Sequence, residues 1–246
     1  MVGVFLLVIA AVAVFFVFRG LNADDKTIEQ QKSQLPVEQE LGIRNKELGT
    51  TAEAQKTPIP KELNLKVPFT SQAPTGNWDR QHEENCEEAS MLMANRYFEN
   101  RAIDNSTDAE TGMAQLVDWE NANIGVSDSM TAEQTAETLS KMLNLKTKMI
   151  TNPVIEDIKN AISKNQLVLV PVAGRLVGNP FYTSPGPLYH MLVIKGYTET
   201  QFITNDPGTK RGENYPYGFN VILDANHDWN NGDVNNGSHT IVLVSK

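Results

Sequence analysis

The sequence predicts an α+β domain in which a helical half packs against an antiparallel sheet, set behind one hydrophobic N-terminal segment. Three observations predict it. Apolar residues recur at helical spacing in several segments between Cys86 and Lys164. They recur at every second position in four later segments. An uncharged run from Val2 to Phe18 stands apart from both, separated by a long polar stretch.

That run, VGVFLLVIAAVAVFFVF, is closed by Arg19 and Gly20. It sits at the short end of the roughly 17–25 residues a helix needs to span a bilayer. No basic segment precedes it and no small-x-small site follows, so residues 1–20 are expected to be a retained transmembrane anchor rather than a cleaved signal. The expected location of the rest is outside the cytoplasm, although Arg19, the one nearby cation, pulls the other way by the positive-inside tendency. Residues 21–62 are polar, with too few large apolar side chains for a core, and are expected to form a stalk. Any helix between Thr27 and Leu48 should be interrupted at Pro36, and TPIPKE at Thr57 to Glu62 should be extended.

The globular part is expected over residues 63–246. LNLKVPF at Leu63 to Phe69 alternates like a strand. Helices are expected at Cys86 to Phe98, Asp108 to Asn121, Thr131 to Leu143 and Val154 to Lys164. The period then changes to two in QLVLVPV, YHMLVIKGY, TQFITND and HTIVLVS. Thr198 to Thr200 reads as the turn of a hairpin.

Charge narrows the function classes. The chain of 246 residues carries 21 Lys and Arg against 30 Asp and Glu, a formal charge of −9, which disfavours nucleic acid as a partner. Its single cysteine, Cys86, cannot form an internal disulfide.

Cys86 opens a predicted helix in HEENCEEASMLMANRYF. Asn85 is a good N-cap and Glu88 falls at the third helical position, so an Asn version of the capping box is expected. A first-turn cysteine feels the positive end of the helix dipole, which favours the thiolate. Glu87 and Glu88 act in the opposite direction, so a base is required. Among the four histidines, His82, His190, His227 and His239, the outstanding one is His190, a polar exception on the apolar face of Leu188, Leu192 and Ile194. Folding the chain about the hairpin sets His190 opposite the region of Asp206, which could orient the imidazole. Asn205 is the neighbouring alternative. Acyl-transfer chemistry also needs an oxyanion donor, and Gln72 and Gln81 both precede Cys86.

The segment DANHDWNNGDVNNG opens with the spacing of a calcium loop at Asp224, Asn226 and Asp228. It then fails, with Trp229 where glycine is needed and Asn235 where a bidentate glutamate is needed, so a polar loop without metal is expected. Trp78 and Trp229 either line a groove or cover the edge of the core. His82 is at most a residue near the cleft.

VPFTSQ, the cysteine opening a helix in CEEASMLMA, then YHMLVIKGY and ITNDPGT together resemble the C39-like peptidases, a bacterial group of papain-type fold. The resemblance covers roughly Lys66 to Asn230. It implies a papain-like cysteine peptidase fold, with Cys86 as nucleophile, His190 as base, Asp206 as its orienting acid and Gln72 as oxyanion donor. It further implies amide-bond hydrolysis of a peptide or protein substrate, with no cofactor and no metal. Two alternatives share those residues: a transamidase or peptidoglycan amidase, and an inactive peptide-binding module. Two departures stand out. Cys86-Glu87 replaces a common Cys-Gly, and the interval from Gln72 to Cys86 is long for the papain type, which keeps Gln81 a competitor.

Overall fold

The structure, a computed structural model, describes residues 25–41, 59–125 and 128–246. The chain divides into two compact units between Leu35 and Pro36. In the first, the described part is a helix over residues 25–33 that ends before Pro36, where a proline ring would clash with the preceding turn. The anchor expected at Val2 to Phe18 lies outside the described residues. Among the described residues no helix is long and apolar enough to cross a membrane.

The second unit is α+β. It runs β1 (Leu63–Asn64), α1 (Arg80–Glu84), α2 (Cys86–Glu99), α3 (Ser106–Asn123), α4 (Ala132–Lys141), β2 (Lys146–Thr151), α5 (Ile155–Ser163), β3 (Leu167–Val172), β4 (His190–Tyr197), β5 (Gln201–Asn205), β6 (Tyr215–Gly218), α6 (Phe219–Ala225) and β7 (Thr240–Ser245). The strands form one antiparallel sheet in the order β2-β7-β3-β4-β5-β6, with β1 also paired to β4. β3 and β4 are buried along their whole length, so their runs LVLVPV and HMLVIKGY contain few polar side chains. α2 lies along β4, α4 along β2 and β7, and α5 along β3 and β4.

Local chemistry sets the helix starts. Asn105 accepts from the Asp108 N–H at 3.1 Å, and Thr131 with Gln134 forms a complete capping box. The Asn85–Glu88 box does not form. A short helix, α1, runs up to Asn85, so Cys86 does not follow a loop; Asn85 has φ −82° and ψ 27°, and its side chain makes no cap hydrogen bond. Near-helical backbone there keeps the carboxamide from arching over the next turn. It accepts from Gln81 Nε2 at 2.9 Å instead.

Three further differences from expectation have physical causes. The strand expected at Leu63 to Phe69 ends at Asn64, because Leu65 turns to a parallel bridge with Gln39 and Pro68 has no N–H to donate. KTKMIT, which becomes β2, is an exposed edge strand with no apolar alternation to mark it. Part of the expected stalk is docked. Glu38 pairs with the fully buried Lys195, which also donates to Asn214 Oδ1 at 2.7 Å, and Glu40 pairs with Lys66 at 3.2 Å. A buried ammonium without a carboxylate would carry a large desolvation cost, so Pro36 to Leu41 completes the domain.

Candidate active site

A groove opens between the segment after β1 and the loop before β4, with Gln72 and His190 on its wall. Trp78 and Trp229 both line it, and Trp229 also packs on Tyr189 with ring centroids 5.4 Å apart, so it covers core and groove together.

His190 is the first residue of β4, paired across to Val172 of β3. Asp206 follows the end of β5. Val193 pairs with Asn205, so continuing that register puts Leu192, not His190, across from Asp206. His190 reaches the carboxylate along the diagonal, a separation long side chains can bridge. Its Nε2 lies 2.9 Å from Asp206 Oδ1, with both residues buried.

Asp206 is held unusually completely. Oδ1 also accepts from the Gly208 N–H at 2.9 Å. Oδ2 accepts from Asn179 Nδ2 at 2.9 Å, Tyr182 Oη at 2.8 Å and Tyr217 Oη at 2.6 Å. Burial works to raise its pKa, but the charge and hydrogen bond of His190 and the two tyrosine hydroxyls outweigh that, and the net shift is downward. The Asp-Pro-Gly sequence thus forms a turn and at the same time holds a carboxylate against His190. Asn205 is engaged elsewhere, donating to Val67 O at 3.2 Å and accepting from the Asn214 N–H at 3.2 Å. Asn179, Tyr182 and Tyr217 carry no sequence signal that marks them, since they meet Asp206 only through the fold.

Gly208 has a steric role. A Cβ there would lie 2.8 Å from Tyr182 Cε1 and 3.0 Å from His190 Cε1. Only a residue without a side chain lets this backbone pass so close to the imidazole.

Gln72 donates its backbone N–H to Pro207 O at 2.9 Å, tying the groove wall to the Asp206 turn. Its Nε2 donates to His82 O at 2.8 Å and Glu83 O at 3.0 Å, while its Oε1 is buried without a partner. Gln81 is exposed. His82 is not on the groove wall. It bridges Asp79 at 2.6 Å and Glu110 at 2.8 Å, which fastens α1 to α3.

Cys86 is buried, and it is not on the groove wall. Its Sγ donates to Glu87 Oε2 at 2.8 Å. Burial pushes the thiol pKa well up, Glu87 and Glu88 add to that, and the Met191 backbone N–H works against them. Met191 directly follows His190, so the helix carrying the cysteine rests on the strand carrying the histidine, an approach also marked by Ser90 Oγ donating to Met191 O at 3.3 Å. Behind Cys86 lies a buried acidic group. Glu87 Oε1 accepts from the Met130 N–H at 2.8 Å. Glu88 and Glu120 face one another, so their contact becomes a hydrogen bond when one is protonated, and the Thr138 hydroxyl beside Glu120 works to lower its pKa. Burial pushes Glu120 up to about 7, and burial together with Glu120 and Glu87 pushes Glu88 well up.

The loop at Asp224 is polar and structural. Asn226 donates to Pro171 O at 2.8 Å and Thr240 O at 2.9 Å, and Asp228 accepts from the Ala132 and Trp229 N–H groups. Among the described residues no group of three or more His, Cys, Asp or Glu side chains could hold a metal ion.

Comparison with known proteins agrees with this architecture. No curated protein sequence matches the chain. A crystal structure of a C39-like peptidase from Bacillus anthracis superposes with a TM-score of 0.51 at 17% identity, covering 76% of this chain and 98% of that one. At that identity the likeness shows the fold. The sequence pattern of the Peptidase_C39 like family matches residues 64–243, which takes in every residue of the groove described above. The chain belongs to the Peptidase_C39 like family.

Proposed function

We propose that the chain is a cysteine peptidase that hydrolyses peptide bonds through Cys86, His190 and Asp206. The observation that carries this reading is the buried 2.9 Å contact between His190 Nε2 and Asp206. With Nε2 tied to a five-fold hydrogen-bonded carboxylate, Nδ1 is the ring nitrogen left for a proton from Cys86.

In the proposed cycle the Cys86 thiol gives its proton to His190 Nδ1 as sulfur attacks the substrate carbonyl carbon. Asp206 holds the ring tautomer and stabilises the imidazolium that forms. The Cys86 N–H and a Gln72 N–H stabilise the oxyanion. Gln72 is preferred to Gln81 because it is on the groove wall with His190. Its N–H must then exchange the Glu83 carbonyl for the oxyanion. The imidazolium returns its proton to the leaving amine, and the C–N bond breaks. Water, deprotonated by the same imidazole, hydrolyses the thioester and regenerates the thiol. The reaction needs no cofactor.

The substrate is an extended peptide or protein segment lying between Trp78 and Trp229, with the chain anchored to a membrane by residues 2–18 and the groove outside the cytoplasm. Membrane fractionation of the full chain tests the anchor: deletion of residues 2–18 releases it if the reading is right. For the chemistry, a peptide library is digested by the full chain and by Cys86→Ser and His190→Ala. Cleavage by the unsubstituted protein alone is the expected result. Peptide binding without cleavage would contradict it and identify an inactive peptide-binding domain.

A further inference from the structure

A peptidase thiol has to reach a base on the groove wall, yet here its hydrogen bond goes elsewhere. Cys86 Sγ donates to Glu87 Oε2 at 2.8 Å, and Glu87 is itself fully buried and fixed by the Met130 N–H on its other oxygen at 2.8 Å. Met130 is fixed in turn, since its carbonyl accepts from Tyr189 Oη at 2.7 Å, and Tyr189 directly precedes His190. The carboxyl that holds the thiol is therefore braced from the segment that carries the base.

We infer that Glu87 is a positioning residue for the nucleophile: it latches the Cys86 thiol in a protonated state off the groove wall, and attack requires that hydrogen bond to break. This rests on the reading of Cys86 as the nucleophile. An acceptor fixed beside an S–H stabilises the thiol over the thiolate, because only the thiol can donate to it. The groups facing Glu87 reinforce this. They are Cys86 and Glu88 on α2, Glu120 on α3, and Tyr189 before β4, which is itself beside Asp228. None of them is a cation, so nothing in that group favours a thiolate. Burial pushes the Glu87 carboxyl up to about 8, so above that pH it is a carboxylate that can only accept from the thiol, and the latch is at full strength there.

Glu87→Gln tests the latch with little change of shape. The Met130 N–H needs an acceptor, so the glutamine oxygen takes that place and its NH₂ faces the sulfur. A donor then replaces an acceptor beside Cys86, and the thiolate becomes the favoured partner. Alkylation of the full chain by iodoacetamide, followed against pH, reads the change at one site because Cys86 is the only cysteine. The expected result is a midpoint lowered by about one pH unit or more, with labelling above the Glu87 transition about tenfold faster. A profile that superimposes on that of the unsubstituted protein, or a midpoint that rises, overturns the latch. His190→Ala run in parallel keeps the two claims apart: unchanged peptide cleavage in that variant defeats the triad, whereas the Glu87→Gln profile bears on the latch whatever the cleavage result. If Glu87→Gln does not fold, the infrared S–H stretch of the unsubstituted protein decides. The single band is expected below the frequency of a free thiol, and a band at the free-thiol frequency overturns the proposal.

Discussion

The sheet that carries His190 and the helices behind Cys86 satisfy buried charge in opposite ways. On the sheet side, the Asp206 carboxylate receives five hydrogen bonds and is held as an anion beside His190. On the helix side, Glu88 and Glu120 face each other with only the Thr138 hydroxyl beside Glu120, and Glu87 has the Met130 N–H and the Cys86 thiol. A carboxylate with a full set of donors keeps its charge in the interior; one without them binds a proton instead. In the proposed cycle the sheet side is thus organised ahead of the reaction, and the helix side is where a proton and a side chain must move.

Removing the donors' common target tests the organised side most severely. Asp206→Asn retains the shape but places an NH₂ among donors, and loss of the correct imidazole tautomer should lower kcat/KM by about 10³-fold or more. Steady-state cleavage of a fluorogenic peptide measures it; a loss under about tenfold would mean that His190 is oriented by something else. Gly208→Ala should be next. The added methyl group meets Tyr182 and His190, an overpacking that costs about 1–3 kcal/mol and displaces the imidazole, to be seen as a lowered Tm and a reduced kcat together.

The helix side gives a smaller effect with a defined pH window. The folded pKa of Glu120 is raised from 4.5 to about 7, so between those values the native state binds more protons than the unfolded chain. Stability must then fall as pH rises through that window and level off above it. Glu120→Gln removes the titration while keeping the partner for Glu88, so Tm plotted against pH should be flatter from about 4.5 to about 7. A curve parallel to that of the unsubstituted protein would contradict the protonated pair. The smallest effect belongs to His82. Burial alone would lower its pKa, but the hydrogen bonds and charges of Glu110 and Asp79 raise it. Its contribution is complete below the unfolded value of 6.5 and is lost as pH rises through the folded value, so His82→Ala should lower Tm slightly in mild acid and hardly at all at alkaline pH.

Much of the fold was legible in the chain, and the reason lies in periodicity. α2, α5, β3, β4, β5 and β7 match the expected segments within a few residues because each buries an apolar face or a whole apolar run. β2 and β6 were not legible, since an edge strand such as KTKMIT has little to bury and YPYG follows a turn-rich stretch. At the site, the contact of His190 with Asp206 could be anticipated from the hairpin, although along a diagonal rather than directly across. Asn179, Tyr182 and Tyr217 could not, because hydrogen bonds among residues on separate segments leave no spacing in the sequence. The direction of the Cys86 thiol was half legible. The opposing effect of Glu87 could be read from adjacency, but α1 ending one residue before α2, with Asn85 making no cap hydrogen bond, could not.

The claim that joins both sides is that Cys86 is acylated with help from His190. Trapping with a peptidyl chloromethyl ketone tests it most directly, using a peptide taken from the cleaved members of the library. Mass spectrometry of the full chain should find one adduct, on Cys86, forming much faster than with a reagent that lacks the peptide and lost in His190→Ala. An adduct that forms equally fast in His190→Ala, or peptide cleavage that proceeds with Cys86 unlabelled, would contradict the account.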